Sequence, residues 1–297
     1  MKIVITGAGG LIGTALQKSF KEKGYDLLLA GRGKPNAANQ IQFDAEAGFA
    51  DPERLEGTEA VIHLAGEPIS GRWTDEKKQK IRDSRVHGTR RVVEVLSHLK
   101  TKPKVLISAS GIGYYGDRGD DVMTEMSGAG DTFLANVCRD WEAEARRAED
   151  LGVRTVLLRT GVVLSKNGGA LAEMLTPFKY GVGGVIGSGK QWMSWIAMGD
   201  IIAVYNKALE DETIRGAFNA CAPNPVTNNE FTKVMGSVLY RPTILPLPEF
   251  AVKFLFGEMG DALLLDSTRA VPKRLQDIEF AFKFADLEGA LKHELEG

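Results

Sequence analysis

The chain has 297 residues, 43% hydrophobic and 26% charged, an ordinary globular composition that suits one large unit plus a smaller lobe. Lys and Arg number 37 against 39 Asp and Glu, a net charge of -2, so there is no basic excess to neutralise nucleic-acid phosphates. No apolar run is long enough to cross a bilayer, and there are only two cysteines, Cys138 and Cys221, far apart in sequence, which fits a reducing compartment with no disulfide framework, so the expectation is a cytoplasmic protein without a membrane partner.

Lys2 opens an apolar run at once, which leaves no place for a signal peptide ahead of it. Short β-branched runs then follow at residues 3–5, 26–30, 60–64, 105–107 and 153–158. They lack strict alternation, as strands buried on both faces do. Helical stretches at 11–23, 76–99 and 132–151 separate them. Strand-helix-strand repetition predicts an α/β fold, a doubly wound parallel sheet with right-handed crossovers, over residues 1–165. The character changes after Leu164. Glycines crowd residues 180–189, and Pro223, Pro225, Pro242, Pro246 and Pro248 mark loops. Residues 166–297 therefore read as a smaller mixed lobe, ending in a short amphipathic helix at 286–295. His63, His87, His98 and His293 show no metal-ligand spacing, so no metal is expected.

The strongest motif is the first strand running into Gly7, Gly10 and Gly13 and then a helix. Gly7 permits the tight turn, Gly10 lets backbone approach a pyrophosphate, and Gly13 lets the helix pack on the strand. Leu11 and Ile12 then offer unpaired N–H groups at the positive helix end. The expected ligand is a dinucleotide. The second strand ends in Gly31 and Arg32, where an NAD site usually carries an acid. A guanidinium there can fork onto a 2′-phosphate, which points to NADP(H). Asp44 is expected beside the adenine, and Leu64, Ala65 and Gly66 at the carboxyl edge of the sheet.

These features, with Val86-His87-Gly88-Thr89 on the next helix, resemble the extended short-chain dehydrogenases. More specifically, Arg72-Trp73-Thr74, Gly113-Tyr114-Tyr115-Gly116, Arg159-Thr160-Gly161-Val162 and Ala222-Pro223-Asn224-Pro225 are similar to the bacterial "epimerase family proteins". The resemblance covers nearly the whole chain. It implies NADP(H), a return of the chain to the large unit at about 196–222, and cofactor contacts from Arg85 and Val162. The superfamily also carries a Tyr with a Lys four residues later, and here the chain departs. None of the six tyrosines has a lysine at that spacing, and Leu134 and Cys138 stand where the pair belongs. Ser110, Tyr114 and Tyr115 remain as candidate catalytic groups. Without the lysine, a tyrosine there is expected to keep an ordinary pKa near ~10. Two function classes fit: an NADP-dependent oxidoreductase or epimerase-like enzyme acting on a small carbonyl or hydroxyl compound, and an NADP(H)-binding regulator or sensor without efficient turnover. The oligomeric state stays open, a homodimer included.

Overall fold

The computed structural model describes residues 1–296. Its main sheet contains β1 Lys2–Thr6, β2 Asp26–Gly31, β3 Gln40–Asp44, β4 Gly48–Phe49, β5 Ala60–His63, β6 Val105–Gly111, β7 Arg154–Thr160 and β8 Gly216–Ala220. Their spatial order is β8-β7-β6-β5-β1-β2-β3-β4. Every pairing is parallel except β3 with β4. The order reverses at β1, which has β2 on one side and β5 on the other, so a crevice opens at the carboxyl ends of β1 and β5.

Successive strand residues point to opposite faces, and both faces are covered. Ile3, Ile5, Ile107 and Val156 pack with Leu16 and Phe20 of α1 (Leu11–Glu22) and with Val204 and Tyr205 of α5 (Met198–Glu210). On the other face Val4, Val61, Leu106 and Leu157 meet Val92 and Leu96 of α2 (Asp75–His98) and Ala145 of α3 (Phe133–Arg146). The unbroken apolar reading of these strands follows from that double burial.

A third core builds the lobe from Leu164, Trp195, Leu171 and Phe178 of α4 (Gly169–Lys179), Phe231 and Met235 of α6 (Asn228–Leu239), and Leu291 of α8 (Leu287–Glu296). Thr227 and Glu230 close a reciprocal capping box at the start of α6. The helix α7 (Glu249–Phe256) lies beyond it. The periodic reading missed α4 to α7; Pro177 interrupts α4 and Gly236 interrupts α6. It also missed β8, whose sequence Gly216-Ala-Phe-Asn-Ala220 carries a buried asparagine. Residues 275–284 return to the large unit, which the sequence did not suggest. Leu275 is buried in the first core, Phe280 and Phe282 pack against it, and the Asp200 carboxylate accepts the N–H groups of Lys283 (2.8 Å) and Phe284 (3.0 Å).

Candidate active site at the carboxyl edge of the sheet

The turn between β1 and α1 is shaped by what glycine lacks. Gly7 has φ +66°, and a Cβ there would lie 2.8 Å from the Ala65 nitrogen. A Cβ on Gly13 would lie 2.6 Å from the Gly7 carbonyl oxygen, so α1 rests directly on the turn. Gly10 caps the helix with extended backbone and no side-chain partner. The N–H groups of Leu11, Ile12 and Gly13 follow without intrahelical partners, as the first turn of any helix leaves them. A side chain on Gly10 would come 3.2 Å from the Gly7 carbonyl oxygen. This cradle fits a pyrophosphate: it is lined by backbone donors at the positive end of a helix dipole.

Across the crevice, Leu64, Ala65 and Gly66 leave the end of β5. Thr6 Oγ1 accepts the N–H of Leu64 (3.2 Å) and of Ala65 (3.3 Å) and lies 2.6 Å from His63 Nδ1. His63 Nε2 lies 3.0 Å from Thr89 Oγ1, which donates to the Arg85 carbonyl at 2.6 Å. The network assigns a neutral His63 with its proton on Nε2, since Thr89 has spent its own proton. Burial, helped by the Arg85 charge, pushes the His63 pKa down to about 3.

Arg85 lies under this loop. Its Nη1 donates to the carbonyls of Glu67 (3.0 Å) and Ile81 (3.1 Å), and its guanidinium carbon sits 3.2 Å from where a Gly66 Cβ would be. Arg32, at the end of β2 beyond Gly31, is 80% exposed and lies 3.5 Å from Glu67. Asp44 ends β3, and its Oδ1 accepts the N–H groups of Glu46 (2.8 Å) and Ala47 (3.1 Å), forming a local turn. Val162 pairs with Trp195 in a two-stranded parallel ladder of three residue pairs at the mouth of the lobe. The lobe reaches the glycine turn through Gly168 and Gly169, which lie against the Leu11 side chain.

The second half of the site is a buried chain of polar groups at the ends of β6 and β7. Ser110 Oγ donates to Glu142 Oε1 at 2.8 Å. Arg159 grips both oxygens of Glu142, through Nε at 2.8 Å and Nη2 at 2.9 Å. Its Nη1 donates to the Tyr115 hydroxyl at 3.1 Å, and that hydroxyl donates to Asn219 Oδ1 at 2.7 Å. The guanidinium also lies over the Tyr114 ring, 3.5 Å from its centroid. Burial works against the Arg159 charge, but Glu142 more than offsets it and the pKa rises.

This arrangement corrects one expectation. Tyr115 is fully buried and its hydroxyl is committed on both sides, so it has no open path to a ligand. Its phenol is not ordinary either: burial pushes the pKa up to about 12. Tyr114 is only half-buried. Ser110 is 5% exposed. On α3, the Cys138 thiol is buried and its pKa is pushed up to about 11, chiefly by burial. Sequence reasoning missed Glu142, Arg159 and Asn219 as site residues. A signal was present in Arg159, a charge closing an otherwise apolar strand that must find a partner once buried. Outside this site, Glu46, Asp83 and His87 bring one ligand atom each within 4.8 Å of one another. Gln79 donates to both Asp83 oxygens at 2.7 Å, so this patch already has a local use.

Residues 3–221 match the NAD dependent epimerase/dehydratase family, and residues 247–294 match a domain of unknown function, DUF1731. The chloroplastic epimerase family protein SDR39U1 homologue of Arabidopsis thaliana is 39% identical over 300 residues, covering 98% of this chain and 86% of its own. The epimerase family protein YfhF of Bacillus subtilis is 38% identical over 296 residues, covering 98% and 97%. The crystal structure of human epimerase family protein SDR39U1 with NADPH superposes with a TM-score of 0.90 at 33% identity, over 100% of this chain and 99% of that one. The chain belongs to the NAD dependent epimerase/dehydratase family.

Proposed function

We propose that this family member binds NADP(H) in the crevice between β1, α1 and β5 and acts as an oxidoreductase or epimerase-like enzyme on a small carbonyl or hydroxyl compound. The glycine turn carries the reading. Gly7 and Gly13 admit no side chain, and the N–H groups at the start of α1 face the space above them. The human relative's NADPH supports the choice of cofactor.

In this reading Gly10, Leu11 and Ile12 hold the pyrophosphate. Gly31 and Arg32 meet the 2′-phosphate, Asp44 flanks the adenine, and Leu64, Ala65 and Gly66 line the ribose side. Arg85 braces that loop from below while facing the cofactor, and Val162 closes the nicotinamide end. When bound, the dinucleotide supplies or accepts hydride. The Ser110 hydroxyl donates its hydrogen bond to Glu142, so its oxygen is left to accept a hydrogen bond from a substrate hydroxyl. Tyr114 is the phenol of this loop that is not sealed in the interior.

Calorimetric titration with NADPH and NADH tests the cofactor assignment. A charge-assisted fork from Arg32 to a phosphate predicts about tenfold to a hundredfold tighter NADPH binding. Arg32→Ala is expected to abolish that preference; a preference that survives it removes Arg32 from the role.

One observation favours a second reading, an NADP(H)-binding regulator without efficient turnover. The α3 positions hold Leu134 and a buried Cys138, and the Tyr115 phenol is locked. Deuterium-labelled NADPH offered with a panel of carbonyl compounds separates the two. Label in a product supports the enzyme; tight NADPH binding with no transfer across the panel supports the regulator.

A further inference from the structure

We propose that the groove between the end of α3 and the edge strand β8 binds a small anion bearing a hydroxyl, a phosphate ester or a hydroxy-carboxylate. The groove has a volume of about 480 Å³ and is walled by Tyr114, Glu125, Arg146, Arg159 and Arg274. Its floor is Gly216 and Ala217, at the start of β8. The glycine turn is level with this floor, since Ala217 registers through Leu157, Ser108 and His63 with Thr6, but it lies four strand positions away, β8 to β7 to β6 to β5 to β1. At ~4.8 Å per strand that is about 19 Å sideways, so the groove stands apart from the pyrophosphate cradle, while sharing Tyr114 and Arg159 with the Ser110 half of the site.

Two guanidiniums, Arg146 and Arg274, face this space, and among the described residues neither forms an ion pair with the groove's own carboxylate, Glu125. Arg274 makes no ion pair among the described residues, while the nearest acid to Arg146 is Glu149 at 3.8 Å, three residues on. Arg274 is held in place: Nη1 donates to the Ala217 carbonyl at 2.7 Å, and the guanidinium lies 3.9 Å from the Phe218 ring centroid. Burial lowers its pKa, Glu125 raises it and Arg146 lowers it again, so the two cations sense each other. An anion between them relieves that repulsion and makes charge-assisted hydrogen bonds.

The acceptor beside Arg274 sets the second requirement. Glu125 Oε1 takes the N–H groups of Asn219 (3.0 Å) and Arg274 (3.3 Å), but Oε2 is buried with no partner. An unpartnered buried acceptor asks for a donor, and a bare anion cannot supply one. A hydroxyl beside the anionic group satisfies both the cations and this acceptor. The Tyr114 ring, with Arg159 on one face, gives the ligand's carbon skeleton an apolar surface.

The test uses the full-length protein, titrated calorimetrically with inorganic phosphate, glycerol 3-phosphate and glycerate at matched ionic strength, with and without saturating NADPH. Phosphate held at the glycine turn competes with NADPH; phosphate held in the groove does not. Glycerol 3-phosphate or glycerate is expected to bind in the presence of NADPH, and the stronger of the two identifies phosphate or carboxylate as the anionic group. Arg146→Gln and Arg274→Gln should each weaken that binding by about tenfold or more. Glu125→Gln should erase an advantage of about fivefold for glycerol 3-phosphate over inorganic phosphate. Arg146 lies at a helix end, so Arg146→Gln keeps the test sound even where Arg274→Gln fails to fold. NADPH affinity is expected to be unchanged in it. No saturable binding of any probe with NADPH present, or equal binding in wild type and Arg146→Gln, overturns the proposal.

Discussion

The two halves of the candidate site are made of different material. The cofactor half is backbone: a turn in which Gly7 and Gly13 leave no room for a Cβ and α1 presents its unpaired N–H groups. The half at Ser110 is side chain: one ion pair, Glu142 with Arg159, organises Ser110, Tyr114, Tyr115 and Asn219 around it. A backbone site tolerates change around it but not within it. A charged network buried to this degree fails when any one partner is lost, because the remaining charge stays out of water.

That contrast predicts a graded set of outcomes. Glu142→Ala should be the most damaging, removing about 3–5 kcal/mol of stability by leaving Arg159 uncompensated. Replacing both, as Glu142→Met with Arg159→Met, should recover much of that loss. Urea unfolding of the three proteins reads it, and equal stability of the single and double variants would show that the pair is not the organiser. Gly10→Val should have the opposite profile. The fold survives, since the new Cβ meets only the Gly7 oxygen at 3.2 Å. The stabilisation by excess NADPH, about 2.7 kcal/mol at a hundredfold excess over Kd, should vanish. Thermal melts with and without NADPH check this.

His63 stands where the two halves join, and pH probes it. Folded His63 resists protonation down to about pH 3, whereas the unfolded residue takes a proton near 6.5. Its contribution to stability is therefore complete above pH 6.5 and is lost as pH falls below it, at about 1.4 kcal/mol per unit. Between pH 6.5 and 5 that amounts to about 2 kcal/mol. Asp266 acts with the other sign, because burial and its acidic neighbours Asp117 and Asp261 raise its pKa to about 6. The measurement is therefore the difference in pH slope between wild type and His63→Gln, in which Asp266 cancels. Smallest of all, Thr227→Ala removes the capping box of α6 and should cost about 1 kcal/mol, with NADPH affinity unchanged. A change in NADPH affinity there would mean that lobe stability and cofactor binding are not separable.

The same difference in material explains what was legible in the sequence. The alternation of apolar runs and helices was enough for the parallel sheet, and the spacing of Gly7, Gly10 and Gly13 was enough for the turn, because both are local patterns. The Ser110 network is not local. Glu142 and Arg159 are 17 residues apart on different elements, and Tyr115 meets Asn219 across 104 residues. No periodicity announces such pairs. Tyr115 looked free for chemistry because sequence gives residue type without burial. The lobe helices were hidden for another reason, the glycines and prolines at their ends, although Thr227 and Glu230 three residues later were a helix-start signal available to be read.

The return of residues 275–284 to the first core bears on how the chain is assembled. Leu275, Phe280 and Phe282 complete an apolar layer whose other members begin at Ile3. Asp200 ties that segment down through two backbone N–H groups. The large unit therefore cannot finish packing during synthesis until residues 275–284 have emerged. Contacts spanning nearly the whole sequence carry a high loop-closure cost and slow folding. A chain stopped after β8 would display an unfilled apolar face and be drawn into aggregation or toward chaperones, even with its glycine turn intact.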